Sequence, residues 1–348
     1  MAEIAALFPM ASLPDLGPTT VDPTLGAGDV AFAVMRKQFR SLTRHEPGVR
    51  YDNDPEDLHQ MRVAIRRLRA ALVVFEEALP ARAPRLRREL GWLGSLSGVV
   101  RDLDVQLAQI GAWSAEADPP EREALDIVTA VLDQRRTKSR ARLVTAMDSR
   151  RHVHLTASMQ RFLTRGSVKR SQPAHVPILE AAPEVVARGY RRVVAIGDRI
   201  DKQSPPQALH ALRIRAKRLR YTVEFLKPIY DKPARAYAKR LVALQDLLGS
   251  HQDDVVALAT LRDIALDPPH RINSVSVFAL GMLAERYQAD AMAARERFPK
   301  RYRDITGTRW RKLRRTMEEA ATQDQTSLAV PASEESTPSA PITIVKGA

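Results

Sequence analysis

The run Pro-x-x-Leu-His-x-x-Arg-x-x-x-(Arg/Lys)-Arg-Leu-Arg occurs twice in this chain, from Pro55 to Arg69 and from Pro206 to Arg220, 151 positions apart. The same offset pairs Arg40 with Arg191, Leu90 with Leu241, Leu93 with Leu244 and Leu96 with Leu247. It goes on to pair Gly98 with Gly249, Asp102 with Asp253, Val105 with Val256, Leu132 with Leu283 and Arg150 with Arg301, and no gap is needed. A repeat this long predicts one structural unit used twice, with its copies related by a pseudo-twofold axis. The halves are expected at 30–165 and 178–321, joined by a linker at 166–177.

The pattern inside each half fixes the fold class. Apolar residues recur at three- and four-residue spacing over 30–46, 56–79, 84–112, 120–147 and 151–164, then over 180–200, 206–228, 232–264, 271–296 and 300–320. No alternating strand pattern interrupts them, so the expectation is all-α: two helical bundles formed by internal duplication. Asp54-Pro55 and Ser204-Pro205 each place a capping side chain before a proline at the first helical position, where its missing N–H costs nothing. Pro119-Pro120, Pro268-Pro269 and the stretch from Ser167 to Pro177 read as connections. Residues 1–29 and 322–348, acidic and with little periodicity, are expected to be disordered extensions.

On a helix the repeated run has two faces. At about 100° per residue, His59, Arg62, Arg66 and Arg69 fall within an arc of roughly 80°. Met61, Ile65, Leu68 and Leu72 occupy an arc of about 60° beside it, the stripe a bundle helix buries. The second copy sets His210, Arg213, Lys217 and Arg220 beside Leu212, Ala216, Leu219 and Val223. A single basic stripe is ordinarily just a solvated face. Recurrence of a histidine and three cations at the same four offsets points to a ligand. Arginine suits phosphate because its planar fork donates bidentately, and a row of forks one turn apart, about 5.4 Å, suits an extended anion.

Charge narrows the partner. The chain carries +14, yet residues 1–29 carry −4 and residues 322–348 carry −2, which leaves +20 on 30–321. A body so charged repels itself unless a polyanion is its partner, so nucleic acid, an anionic membrane or another phosphate polymer make the shortlist. Aromatics are only 5%, which counts against stacking single-stranded bases. The absence of cysteine removes disulfides, thiolate metal sites and cysteine nucleophiles. With no apolar run of about 18 residues and no secretory signal at the start, the chain is read as cytoplasmic.

A second element also repeats: Leu96-Ser97-Gly98-Val99-Val100-Arg101-Asp102-Leu103-Asp104 and Leu247-Leu248-Gly249-Ser250-His251-Gln252-Asp253-Asp254. Gly98 and Gly249 are expected to admit a neighbouring helix. Asp102 and Asp253 are expected to accept hydrogen bonds from a motif arginine and so orient it. The alternative is magnesium held by Asp102 with Asp104, or by Asp253 with Asp254, completed by substrate phosphates, in a magnesium-dependent hydrolase. His152 and His154, two apart, point away from each other on a helix and make no metal pattern. The basic cluster from Lys300 to Arg315 resembles a nucleic-acid patch but equally continues the basic surface. There is no phosphate-binding glycine loop, nucleophile elbow or His-Glu-x-x-His, and neither catalysis nor a cofactor is expected.

These paired motifs, His59-x-x-Arg62-x-x-x-Arg66-Arg67-Leu68-Arg69 followed by Leu96-x-Gly98-x-x-Arg101-Asp102, with the repeat at His210 and Asp253, resemble the CHAD domain, the conserved histidine α-helical domain. The resemblance covers about 30–321. It implies two helical bundles with basic helices lining a central groove or pore, and binding of inorganic polyphosphate. Members consisting of this domain alone are the phosins of polyphosphate granules. The implied phosphate-facing residues are His59, Arg62, Arg66 and Arg69, with His210, Arg213, Lys217 and Arg220. Arg67, Arg218, Arg40, Arg191, Arg150 and Arg301 are expected to extend that surface. Lys217 keeps the charge of arginine but loses the fork, and Gln252 replaces the charge of Arg101, so the second half is weaker in that element and equal contributions from the two halves are not implied. Some relatives add a strand-rich triphosphate-tunnel domain bearing Glu-x-Glu-x-Lys. Here Glu121-x-Glu123 lies in a predicted helix and lacks the lysine. Inorganic polyphosphate is thus the expected partner, without specific nucleic acid or membrane.

Overall fold

The computed structural model describes residues 15–51, 54–167, 172–266 and 274–329. The first half runs α1 (Ala27–Tyr51), α2 (Pro55–Val74), α3 (Ala83–Glu116), α4 (Pro119–Met147) and α5 (Arg150–Arg165). A short α6 (Gln172–His175) follows, then α7 (Ile178–Gly197), α8 (Pro206–Phe225), α9 (Lys227–Leu266), α10 (Ser274–Thr306) and α11 (Thr308–Ala329). Among the described residues there is no strand, so the fold is all-α, and the one β-type pairing is a single bridge between Gly26 and Pro177. No described helix is long and apolar enough to cross a membrane.

The two motif helices lie where their sequence puts them. Both α2 and α8 are 20 residues long and begin at the proline of the motif. Met61, Ile65, Leu68 and Leu72 are buried, as are Leu212, Ala216, Leu219 and Val223. Each large apolar side chain so buried contributes about 1.5–3 kcal/mol. With the apolar stripes pinned in one core, α2 and α8 pack against each other and their basic stripes are forced to adjoin. A second, smaller core joins the far ends of the α3–α4 and α9–α10 pairs through Leu103, Ile110, Leu132, Leu261, Leu283 and Tyr287.

Several local expectations need correction. Asp54 caps α2, its carboxylate accepting from Glu56 N–H, but Ser204 does not cap α8. Pro205 takes the cap position and Pro206 the first turn, while the Ser204 hydroxyl donates to Asp201 Oδ1 at 2.9 Å. The break expected between 296 and 300 is absent. Phe298 and Tyr302, on either side of Pro299, stack at 5.6 Å, and the Tyr302 hydroxyl donates to Asp198 at 2.6 Å, so tertiary contacts carry the helix past the proline. The break falls at Gly307 instead. Within α9 a kink at Asp231, φ 28°, takes the place of the gap expected before residue 232.

The extensions are also shorter than expected. Leu16 is buried, and Arg36 donates to the carbonyls of Pro18 and Leu163, so residues 15–29 pack on the bundle. At the other end α11 runs on to Ala329, supported by the Arg314–Glu318 and Arg315–Glu319 pairs one turn apart and anchored by buried Trp310, Leu313 and Met317. The rest of the expected disorder, at 1–14 and 330–348, lies outside the described residues, as does the Pro268-Pro269 connection.

Candidate functional site

A cavity of about 520 Å³ opens where the basic stripes of α2 and α8 meet. Arg62 and Arg66 enter it from α2, and His210, Arg213 and Lys217 from α8. Asp102, Gln106 and Gln109 of α3, Gln252, Asp253 and Asp254 of α9, and Tyr287, Asp290 and Arg297 of α10 complete the wall. Five of the residues expected to face phosphate therefore converge on one space.

The glycines act on side chains here. A Cβ at Gly98 would stand 3.1 Å from Arg62 Nη1, and one at Gly249 would stand 3.9 Å from Arg213 Nε. What glycine admits is thus a guanidinium, not a neighbouring backbone. Arg62 pairs with Asp102 at 3.6 Å, an ion-pair contact longer than a hydrogen bond. It holds the guanidinium near its place while Nη1, like Nε of Arg66, stays buried without a partner. Asp253 faces Arg213, Lys217 and Arg62, but enclosure by the cavity walls pushes its carboxyl up despite them.

Lys217 is the focus of the repulsion. Burial first, and then Arg213, Arg66, Arg220 and Arg62, push its ammonium down to about 7. Two halves each bring cations to the same place, so an anion entering it relieves strain that folding has imposed. Burial, then Arg101, Arg66 and Arg62, also lowers His59, against the opposing pull of Glu56. His210 is held differently: its Nδ1 lies 2.5 Å from Gln252 Oε1. The replacement of Arg101 by Gln252 therefore exchanges a repelling neighbour for a hydrogen-bonding one.

Other expected residues stand apart from the cavity. Arg67 donates to Glu224 at 2.5 Å, Arg220 lies 3.6 Å from the same carboxylate, and both guanidinium groups lie over the Tyr221 ring. They cement the α2–α8 seam. Arg69 stands against Gly91 and beside Arg87, while Arg218 has Arg215, Arg192 and Arg87 as neighbours, forming a basic surface beyond the cavity. Arg40 pairs with Asp15, Arg191 with Glu184 and Arg301 with Asp304, and Arg150 is exposed at the start of α5. None of these four lines the cavity. The Asp102/Asp104 pair does not converge either: Asp104 turns away to accept from Arg136 Nε at 2.6 Å. Tyr287, Asp290 and Arg297 were missed because they come from α10, outside both repeated motifs, and no local signal marks them.

An all-helical bundle with a cationic cavity between two repeated basic helices defines the class, and comparison with known proteins gives it its name. The CHAD domain family model matches residues 33–262, and the chain belongs to that family. Two uncharacterized Mycobacterium tuberculosis proteins, from two strains, are each 27% identical over 234 residues, covering 66% of this chain and 44% of the relative. The chain thus spans less than half the length of these curated relatives. The crystal structure of a CHAD domain from the plant Ricinus communis superposes with a TM-score of 0.71 at 25% identity, covering 83% of this chain and 94% of that one. PptA from Streptomyces chartreusis shares the fold, with a TM-score of 0.65 at 19% identity, covering 81% of this chain and 100% of its own. The family is associated with the binding or hydrolysis of polyphosphate and triphosphate.

Proposed function

We propose that this chain binds inorganic polyphosphate without catalysis, gripping a run of phosphates between α2 and α8. One observation carries the reading: Arg62, Arg66, Arg213 and Lys217 converge from two helices on one cavity, and buried donors of Arg62 and Arg66 lack partners. Cations crowded into one half-enclosed space repel one another, so an anion entering between them relieves a repulsion the fold already carries. A phosphate chain offers oxygens on every unit and is thin enough to enter between two packed helices. His59, Arg69 and Arg218, outside the cavity lining, are assigned to further phosphates of a longer chain. Arg67 and Arg220 keep the seam closed, and Arg40, Arg191, Arg150 and Arg301 add only long-range attraction. Asp102 holds Arg62 through its ion pair, while Asp253 faces Arg213 with neither a hydrogen bond nor an ion pair among the described residues and acts on it only through its charge. The protein resides in the cytoplasm on polyphosphate granules.

The test is competition. Labelled long-chain polyphosphate is bound to the protein, then challenged with duplex DNA, RNA or unlabelled polyphosphate at equal phosphate concentration. Only polyphosphate is expected to displace the label, and displacement by nucleic acid refutes the reading. Magnesium-dependent phosphate release, lost in Asp102→Ala while binding persists, would establish the hydrolase instead. A fluorescent fusion followed with and without polyphosphate synthesis tests the location on granules.

A further inference from the structure

The cavity is not uniformly basic. Facing Arg62, Arg66 and Lys217, α9 and α10 bring in Asp254 and Asp290. The two carboxylates lie on separate helices packed side by side and are close enough for each to be felt by the other. Neither has a hydrogen bond or ion pair among the described residues, and burial together with Asp290 and Asp253 pushes Asp254 up to about 7. For a site that only trapped anions this arrangement works against itself, because each carboxylate repels the ligand its neighbours attract.

A third group stands with them. Tyr287 is only 4% exposed and lines the same cavity, and its hydroxyl is buried without a partner. Two carboxylates suit a divalent cation of the magnesium class, and the Tyr287 phenol, which burial and both carboxylates keep protonated, is a donor for the water or phosphate oxygens of such an ion. Such an ion keeps several waters and commonly takes one or two carboxylates together with phosphate oxygens. The described residues assemble no cage of three or more acidic, histidine or cysteine ligands, so a cation here needs the phosphate chain to supply the rest of its shell.

We propose that the groove receives its phosphate chain as a divalent-metal salt. The ion riding on the chain meets Asp254 and Asp290 while the phosphate oxygens meet Arg62, Arg66 and Arg213. The inference rests on the polyphosphate reading above and adds a second recognition element to it. It turns the acidic wall from a defect into a reader of the counterion. Other polyanions whose countercharge is monovalent or diffuse would meet the carboxylates unshielded.

The experiment measures binding of labelled long-chain polyphosphate to the full chain at about pH 8, where Asp254 is ionised, with ionic strength held constant. One buffer contains EDTA and the other about 1 mM Mg²⁺. At a purely cationic site Mg²⁺ competes for the phosphates and weakens binding. The wild type is expected to bind at least as tightly with Mg²⁺ as without it. The Asp254→Asn/Asp290→Asn variant should match or exceed wild type in EDTA and lose about tenfold in Mg²⁺. Equal weakening of both proteins by Mg²⁺ overturns the inference alone, whereas no binding by either protein in either buffer overturns the polyphosphate reading and the inference with it. A second readout needs no variant: Mn²⁺ loaded on polyphosphate should show enhanced water-proton relaxation when wild-type protein is added. Unchanged relaxation, with binding verified in the same sample, also overturns it.

Discussion

Lys217 makes the affinity of the groove depend on pH in a calculable way. In the free protein its ammonium titrates at about 7, against 10.5 for an ordinary lysine. A bound polyanion restores the ordinary preference for charge, so binding takes up a proton. Between about pH 8 and about pH 6 the protonated fraction of the free protein rises from about 0.1 to about 0.9, while the complex stays protonated. The linked affinity therefore rises about tenfold, or about 1.4 kcal/mol, and levels off below that range. Asp254, also raised to about 7, works in the same direction when metal is absent, since its protonation removes a negative charge from the wall. His59, already lowered, adds its charge at the acid end. The assay is isothermal titration in EDTA, at constant ionic strength, in two buffers of different ionisation enthalpy, which gives affinity and protons taken up together. Lys217→Arg restores the residue of the first half and cannot titrate, so it should lose about tenfold of the pH dependence while binding more tightly at about pH 8. If Lys217→Arg keeps the full wild-type slope and proton uptake, the account of Lys217 is wrong.

Other outcomes follow from the same geometry. Arg62→Ala with Arg213→Ala should weaken polyphosphate binding about a hundredfold or more, against only a few-fold for Arg311→Ala with Arg314→Ala, as measured by anisotropy; equal losses would mean that net charge alone governs affinity. Gly98→Ala crowds Arg62 Nη1, so affinity should fall several-fold while the melting temperature holds or rises, because alanine favours the helix by about 1 kcal/mol. Glu224→Ala leaves Arg67 and Arg220 without their shared carboxylate and should lower stability by about 1 kcal/mol in urea titrations, with the loss shrinking in high salt. Because the folded pKa of Lys217 is depressed, its contribution to stability is full above the unfolded value of 10.5 and is lost as pH falls toward about 7. Lys217→Met should therefore melt higher than wild type at neutral pH, while binding polyphosphate less well.

What the sequence disclosed follows the range of the interactions involved. Burial of Met61, Ile65, Leu68 and their counterparts on α8 is written in a local period, and so was legible. Convergence of Arg62, Arg66, Arg213 and Lys217 was also legible, because a repeated stripe beside a repeated apolar seam leaves the charges few places to go. The depressed ammonium of Lys217 was not, since it requires arginines from both halves at one point. Separation of Arg67 and Arg220 from their neighbours depends on Glu224, which lies outside the motif and meets Arg67 only across the α2–α8 seam. Tyr287 and Asp290 depend on how α10 packs beside α9, and helix-period patterns do not encode which helices become neighbours. Pro299 misled for the same reason: it signals a break locally, and stacking of Phe298 on Tyr302 overrides it.

The bridge between Gly26 and Pro177 has a mechanical meaning. Ala27 N–H donates to Val176 O and Ile178 N–H to Leu25 O, each at 2.9 Å, so the entry to α1 is buttoned to the segment that leads into α7. The start of the first half is thereby stitched to the start of the second by backbone alone, a clasp that no side-chain substitution removes directly and that stands apart from the side-chain core joining α2 to α8.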